Sequence, residues 1–470
     1  MGITNQEGYP RITIAGLSGD SGKSLVSLSL LVFMESAGQP AAAFKKGPDY
    51  IDAAWLSWAC RRPARNLDTY LMGTSTATES FLSHGLSRGL NVIEGNRGLY
   101  DGADARGSHS TAELAKTLRA PVVLVVNAAK VTRTAAALVL GCQKLDTRVD
   151  LKGVVLNRVA GARHERILRD SIEQTCGVPV LGVIPKLTGD ALLPQRHLGL
   201  LTPQEHPRIE TLRERLLHIA RENLDIEALL ALASAVPPLS PVEAPRPKAA
   251  RKNVTVGFLS DSAFSFYYPD NLEALECRGA KLLPLSPLSE DDFPRGMDAL
   301  YIGGGFPETH GEALAKRRSW MRALASAARG GLPIYAECGG LMFLSRAIVW
   351  KGRRFPMAGV LPFDVEVLEA PQGHGYSELV VDSENPFFAP GAQLKGHEFH
   401  YSRIVPGSVQ PPTACRVQRG TGPFPGRDGI VVYNTWASYT HLHALSTPEW
   451  ASAVTSAARR LCRKKGGGRR

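Results

Sequence analysis

The run GLSGDSGKS, opening at Gly16, sets Gly19 and Gly22 ahead of a lysine and a serine, between a strand-like and a helix-like stretch. Backbone N–H groups at such a turn, and at the helix N-terminus behind it, surround phosphate oxygens. Lys23 would neutralise the outer phosphates and the Ser24 hydroxyl would ligate Mg²⁺, with Gly19, Ser21 and Gly22 supplying the backbone cradle. A second reactive feature lies in LPIYAECGGLMFL, from Leu332, where a buried-strand pattern gives way to Cys338, Gly339 and Gly340 and then to a helical apolar pattern. A thiol at a helix N-terminus is expected to have a lowered pKa and to act as a nucleophile. The glycines of YIGGGFPE, Gly303 to Gly305, could present N–H groups to an oxyanion. A base is still required. Spacing leaves His397 and His400 of GHEFHYS, and His441 and His443 of SYTHLHAL, as open candidates.

Two acidic clusters accompany the phosphate loop. FKKGPDYID supplies Lys45, Lys46, Asp49, Tyr50 and Asp52 behind an expected second strand, and VIEGNRGLYDG supplies Glu94 and Arg97 behind another. Carboxylates at the carboxyl ends of parallel strands beside a phosphate loop are natural Mg²⁺ ligands, which makes Ser24, Asp52 and Glu94 the expected metal set. Each acid taken alone would serve as well as a helix cap or a solvated loop charge. Asn157, at the end of VVLNRV, could meet an adenine edge or simply close a strand.

These residues need strands that end beside them. RITIAG from Arg11, NVIEG from Asn91, APVVLVVNA from Ala120, LKGVVLNRV from Leu151 and VPVLGVI from Val178 are short, nearly continuous apolar runs separated by helical stretches. That pattern predicts a parallel sheet covered on both faces. It restarts at VTVGFLS (Val254), MDALYIGGG (Met297) and LPIYAEC (Leu332), and the stretch from Arg354 to Tyr433 reads as β-rich. Between the halves, Ala233 to Lys252 is rich in Pro and Ala without apolar period, and reads as a linker. The expected organisation is α/β in two domains: 1–232 around the phosphate loop, a linker over 233–252, a second domain over 253–462, and a basic tail over 463–470.

Bulk properties bound the function. A chain of 470 residues exceeds one ordinary core, and 44% hydrophobic with 21% charged residues describes a globular protein. No apolar run approaches the ~20 residues that span a bilayer, and the start has no signal-peptide pattern, so a cytoplasmic location without membrane attachment is expected. The seven cysteines form no close pair, which argues against a zinc site or a disulfide framework. The net charge of +11 falls partly in the tail RRLCRKKGGGRR, with no aromatic–basic interleaving to suggest nucleic acid. Nothing in the sequence fixes an oligomeric state; a homodimer stays open.

The motifs SGKS, KKGPDYID, RNLDTYLMG, HSTAELAK, APVVLVV, GVVLNRV, RHLGL, YIGGGFPE, YAECGGLM, GHEFHYS and YTHLH follow one another in an order that resembles the cobyrinate a,c-diamide synthase family, across nearly the whole chain. The interval from Gly16 to Gly22 is one residue longer than in G-x-x-x-x-G-K-[ST], a spacing similar to that of dethiobiotin-synthetase-like ligases. The resemblance implies an ATP-dependent amidoligase domain joined to a class I glutamine amidotransferase domain. It implies that Cys338 attacks the amide of L-glutamine, with His441 as base and Gly304, Gly305 and Gly339 as oxyanion donors. It implies further that Lys23, Ser24 and Glu94 serve ATP and Mg²⁺, while Asp49 and Asp52 serve the substrate carboxylate, with Lys45, Tyr50 and Arg97 as further substrate candidates. Class I glutaminases carry a Glu two residues after the base; His443 stands there in this chain.

One departure concerns the substrate. The family commonly reads E-G-V-M-G-L-[FY]-D-G beside the metal acid, whereas this chain has EGNRGLYDG, with Asn96 and Arg97 in place of two apolar residues. A guanidinium there implies altered contacts with substrate carboxylates. A similar branch is associated with dissimilatory sulfite reductase and with amidation of siroheme. The expected substrate is therefore an acidic tetrapyrrole, either siroheme or cobyrinic acid, with the Asn–Arg pair tipping toward siroheme. The alternative is a regulatory phosphate-loop ATPase with a non-catalytic amidotransferase-like domain. Such ATPases often carry an early loop lysine, where this chain has Leu17 and Ser18.

Overall fold

A computed structural model describes residues 8–187, 192–196, 199–239, 251–405, 407 and 409–467. The chain divides into two compact units, Met1–Ala244 and Pro245–Arg470.

The first unit holds seven parallel strands: β1 (Arg11–Gly16), β2 (Ala41–Lys46), β3 (Arg65–Leu67), β4 (Leu90–Glu94), β5 (Val122–Asn127), β6 (Leu151–Val159) and β7 (Val180–Pro185), in the order β3-β2-β4-β1-β5-β6-β7. Its helices are α1 (Lys23–Ser36), α2 (Tyr50–Cys60), α3 (Thr69–His84), α4 (Thr111–Thr117), α5 (Thr134–Leu145), α6 (Ala162–Cys176), α7 (Ile209–Asn223) and α8 (Ile226–Ser234). A two-stranded ribbon, β8 (Gln195–Arg196) with β9 (Gly199–Leu200), precedes α7. Strand β5 shows why its run is apolar throughout. Val123 and Val125 join the core that α1, α2 and α7 cover, while Val122, Leu124 and Val126 join the core under α5 and α6. Helices on both faces leave no polar side to alternate with. Helix α8 reaches Ser234, inside the segment expected as linker, and 240–250 lie outside the described residues.

The second unit is built on a ten-stranded sheet. β10 (Val254–Leu259), β11 (Ala280–Leu285), β12 (Ala299–Ile302), β13 (Ile334–Glu337) and β22 (Thr435–Ser438) run parallel. The sheet then continues antiparallel through β21 (Arg427–Val432), β20 (Thr413–Arg419), β17 (Gly373–Val381), β18 (Gln393–His400) and β23 (His441–Leu442). A four-stranded sheet of β14 (Ala347–Trp350), β15 (Arg353–Pro356), β16 (Asp364–Val367) and β19 (Ser402–Ile404) stands apart. The helices are α9 (Pro269–Cys277), α10 (Gly311–Lys316), α11 (Arg318–Arg329), α12 (Gly339–Leu344) and α13 (Glu449–Gly467), so the segment expected as a tail from 463 is helical as far as Gly467. Again the parallel strands feed two cores: Leu300, Ile302, Ile334 and Ala336 face one, Tyr301 and Tyr335 the other. The α/β class expected for both halves is the one observed.

Candidate functional site

The phosphate loop leaves the carboxyl end of β1, which lies between β4 and β5. Gly22 closes it with φ +102°, a conformation that favours glycine, and a Cβ there would meet Asn157 Nδ2 at 2.2 Å. Asn157 is buried and donates from that same nitrogen to Ser21 O at 3.0 Å, so its amide braces the loop. The Ser21 hydroxyl is spent in the same way, accepting from Leu17 N and Ser18 N at 3.1 Å each. Gly19 is exposed, at the rim of the turn. Lys23 Nζ reaches back to Ser18 O at 2.9 Å, and burial followed by the charge of Lys45 lowers its pKa.

Parallel pairing of β2 with β4 sets Lys45 beside Glu94. The Lys45 ammonium, 1% exposed, touches Asp52 Oδ2 at 2.6 Å and Glu94 Oε1 at 2.8 Å, and donates to Gly95 O at 3.0 Å. Its three donors are thus engaged by the protein; burial opposes its charge, yet Asp52 and Glu94 together leave its pKa raised. Lys45, expected at the substrate, therefore holds the acids together. Ser24 Oγ donates to the same Glu94 Oε1 at 3.1 Å, while Glu94 Oε2 is buried with no hydrogen-bond partner among the described residues. A hydroxyl, an orphaned carboxylate oxygen and Asp52 nearby are hard oxygen donors, a set that suits Mg²⁺. Asp49 caps α2 by accepting from Asp52 N at 2.8 Å, and burial, then Asp52, push its pKa up to about 7. Tyr50 is buried in the first turn of α2, whereas Arg97 is exposed, at φ +49°. Asn96 packs on β2's end: a Cβ on Gly47 would come within 3.0 Å of its Nδ2.

In the second unit Cys338 sits at φ +47°, ψ −98°, between β13 and α12. A non-glycine residue there is strained and must be held by its surroundings. Cys338 N donates to Ser438 O at 2.8 Å, and Cys338 O accepts from Met342 N at 3.0 Å. The elbow passes so close to β12 that a Cβ on Gly339 would meet Gly305 N at 2.9 Å, and one on Gly340 would meet Ile302 O at 2.4 Å. The backbones of Gly305 and Gly339 are thereby adjacent, as an oxyanion cradle needs. A Cβ on Gly304 would fall 2.6 Å from His441 Cε1, which sets that imidazole on the same loop. Cys338, Gly304, Gly305, Gly339 and His441 converge.

The thiol itself corrects the sequence expectation. Burial pushes the Cys338 pKa up, and the charge of Glu308 adds to this. Helix α12 has only six residues, too little to offset a dry site ringed by carboxylates.

Sequence reasoning missed the groups that hold His441. Glu337, fully buried, places Oε2 3.5 Å from His441 Nδ1. Its Oε2 also accepts from Tyr301 OH at 3.1 Å, and its Oε1 from Leu442 N at 3.0 Å. The available signal was a charged residue closing a buried strand immediately before the cysteine. Asp428 receives Ser438 Oγ at 2.8 Å and Thr440 Oγ1 at 3.1 Å, and Asn271 brackets Leu442 O and Ala444 N. The His397 ring stacks on His441 with centroids 5.0 Å apart, and burial holds its pKa well below the ordinary value. His400 stacks on Tyr439 and its Nε2 lies 3.4 Å from Glu398 Oε2.

Among the described residues no helix is long and apolar enough to cross a membrane. Residues 12–201 match the CobQ/CobB/MinD/ParA nucleotide binding domain, and residues 255–449 the CobB/CobQ-like glutamine amidotransferase domain. A curated relative from Magnetococcus marinus, named cobyrinate a,c-diamide synthase, is 40% identical over 94% of this chain and 96% of its own length. Relatives of the same name from Archaeoglobus fulgidus and Dehalococcoides mccartyi are 39% and 38% identical, over 93% and 97% of this chain and 95% and 99% of theirs. With a nucleotide-binding unit and a glutamine amidotransferase unit in one chain, matched to such relatives almost end to end, the protein belongs to the cobyrinate a,c-diamide synthase family.

Proposed function

We propose that the enzyme activates side-chain carboxylates of an acidic tetrapyrrole with ATP, as acyl phosphates, and converts them to amides with ammonia released from glutamine. The observation that carries this reading is the presence of two built centres in one chain: Ser24, Lys45, Asp52 and Glu94 gathered at the phosphate loop, and Cys338, His441, Gly305 and Gly339 gathered at the elbow. Mg²⁺, held by Ser24, Glu94 and Asp52, would neutralise phosphate charge when bound. Lys23 leaves its loop carbonyls to meet the transferred phosphoryl oxygens. Asp49 and Tyr50, at the start of α2 behind β2, meet the acceptor carboxylate. At the elbow, His441 takes the thiol proton, sulfur attacks the glutamine amide, and the N–H groups of Gly304, Gly305 and Gly339 receive the developing oxyanion.

Cobyrinate is the first reading for the macrocycle, supported by the names of the relatives. Siroheme is the second, favoured by Asn96 packed on Gly47 and Arg97 exposed beside it, where the family commonly has apolar residues. Purified enzyme given glutamine, Mg²⁺ and ATP with each macrocycle in turn decides between them. Amidation of cobyrinate alone supports the first, of siroheme alone the second, and of neither overturns the tetrapyrrole reading.

A further inference from the structure

A histidine that takes a proton from a thiol through Nε2 must keep its other proton on Nδ1, which requires an acceptor at Nδ1. His443, two residues after His441, is engaged elsewhere. Its Nδ1 accepts from Leu445 N at 3.1 Å, its Nε2 lies 3.8 Å from Asp270 Oδ2, and its ring packs on Tyr268 with centroids 4.4 Å apart. The carboxylate that does face His441 Nδ1 comes from the nucleophile's own strand. β13 and β22 are parallel neighbours, with Glu337 opposite Ser438, and the chain leaving β22 turns through Thr440 into His441. Glu337 therefore lies between the strand that delivers the nucleophile and the segment that delivers the base. Tyr301 from β12 and Leu442 N fix both of its oxygens.

We propose that Glu337 is the positioning residue of the glutaminase centre, its carboxylate holding His441 with the proton on Nδ1, so that Nε2 is the nitrogen that takes the Cys338 proton. This rests on the reading of Cys338 and His441 as nucleophile and base. The thiol proton passes to Nε2 as the sulfur–carbon bond forms; it then leaves with the departing ammonia as the carbon–nitrogen bond breaks. Water hydrolyses the thioester to glutamate. Throughout, the Nδ1 proton stays between imidazole and carboxylate. The elbow geometry follows as well: nucleophile and orienting acid are consecutive residues, so any shift of β13 moves both.

The test is Glu337→Gln in the full-length enzyme. The amide keeps an oxygen for Leu442 N and turns an N–H toward His441 Nδ1, which imposes the wrong tautomer. Expected is a fall of about a hundred- to ten-thousand-fold in glutaminase kcat, with KM for glutamine within about threefold, and ATP-dependent amidation driven by added ammonia retained. Glu337→Asp should recover part of kcat. Glutaminase kcat within about threefold of wild type in Glu337→Gln overturns the proposal. So does loss of ammonia-driven amidation together with glutaminase, which would mean a structural role. Cys338→Ala run in parallel separates the two claims: if it still hydrolyses glutamine, the reading of the centre falls, whatever Glu337 does.

Discussion

Replacing Lys45 with Met is the sharpest test of the cluster at the phosphate loop. The ammonium is 1% exposed and touches Asp52, Glu94 and Gly95 O within 3.0 Å. Without it, Glu94 keeps, among the described residues, only Ser24 Oγ on Oε1 and nothing on Oε2, in a position with no exposure to water. Removing one partner of a buried ion pair costs about 3–5 kcal/mol, because the charge left behind is uncompensated. For a unit of this size each kcal/mol moves the transition by roughly 2–4 °C, so the variant should melt about 6–20 °C lower. Calorimetry reads this directly, the transition of the first unit being the one that MgATP raises in the wild type. Adding Mg²⁺ alone should restore part of the loss, since the cation replaces the ammonium as counter-charge. The double variant Lys45→Met, Glu94→Gln should lose less than the single one. A drop under about 2 °C, or a double variant as damaged as the sum of its parts, would refute the idea that Lys45 holds these acids.

Gly340→Ala should unsettle the elbow, because its Cβ would meet backbone oxygen of Ile302 at 2.4 Å; a loss of about 1–3 kcal/mol and of glutaminase is expected by denaturant unfolding and assay, and wild-type values would contradict the close approach. Ser24→Ala should raise the Mg²⁺ concentration needed for half-maximal ATP-dependent amidation while glutaminase stays intact; an unchanged requirement would remove Ser24 from the metal set. Asp428, buried beneath Ser438 and Thr440, has its pKa pushed by burial from 3.8 to about 6. The folded state thus holds that proton more tightly, so the stability it contributes is present below the unfolded value and is lost as pH rises through 6, by at most about 3 kcal/mol. Denaturant midpoints of the wild type should fall relative to Asp428→Asn between pH 4 and 7, and parallel curves would contradict the shift.

Most of the architecture was legible because parallel strands covered on both faces leave long apolar runs, and those of β1, β5 and β6 can be read directly. The loop itself was equally readable, since glycine, lysine and serine at fixed spacing mark a turn between a strand and a helix, and it lies there between β1 and α1. What the sequence hid depends on burial and on long-range pairing. The helix that follows Cys338 suggested an acidic thiol, but the fold buries that thiol among carboxylates, and desolvation wins. Lys45 looked like a substrate contact until the β2–β4 register set Glu94 against it. The resemblance showed only that His443 stands where class I glutaminases carry a Glu and left the orienting group open; the carboxylate 3.5 Å from His441 Nδ1 comes from β13, over a hundred residues away in sequence, by way of the β13–β22 pairing.

The central claim is that nitrogen leaves glutamine at Cys338 and arrives on a carboxylate activated by ATP in the other unit. The most direct measurement is mass spectrometry of the product formed from cobyrinic acid or siroheme, Mg²⁺, ATP and glutamine carrying heavy nitrogen in its amide. Expected are heavy nitrogen in every new amide with wild type, none from glutamine with Cys338→Ala, and unlabelled amides when that variant is given free ammonia. Heavy nitrogen transferred by Cys338→Ala, or amides formed without ATP, would contradict it.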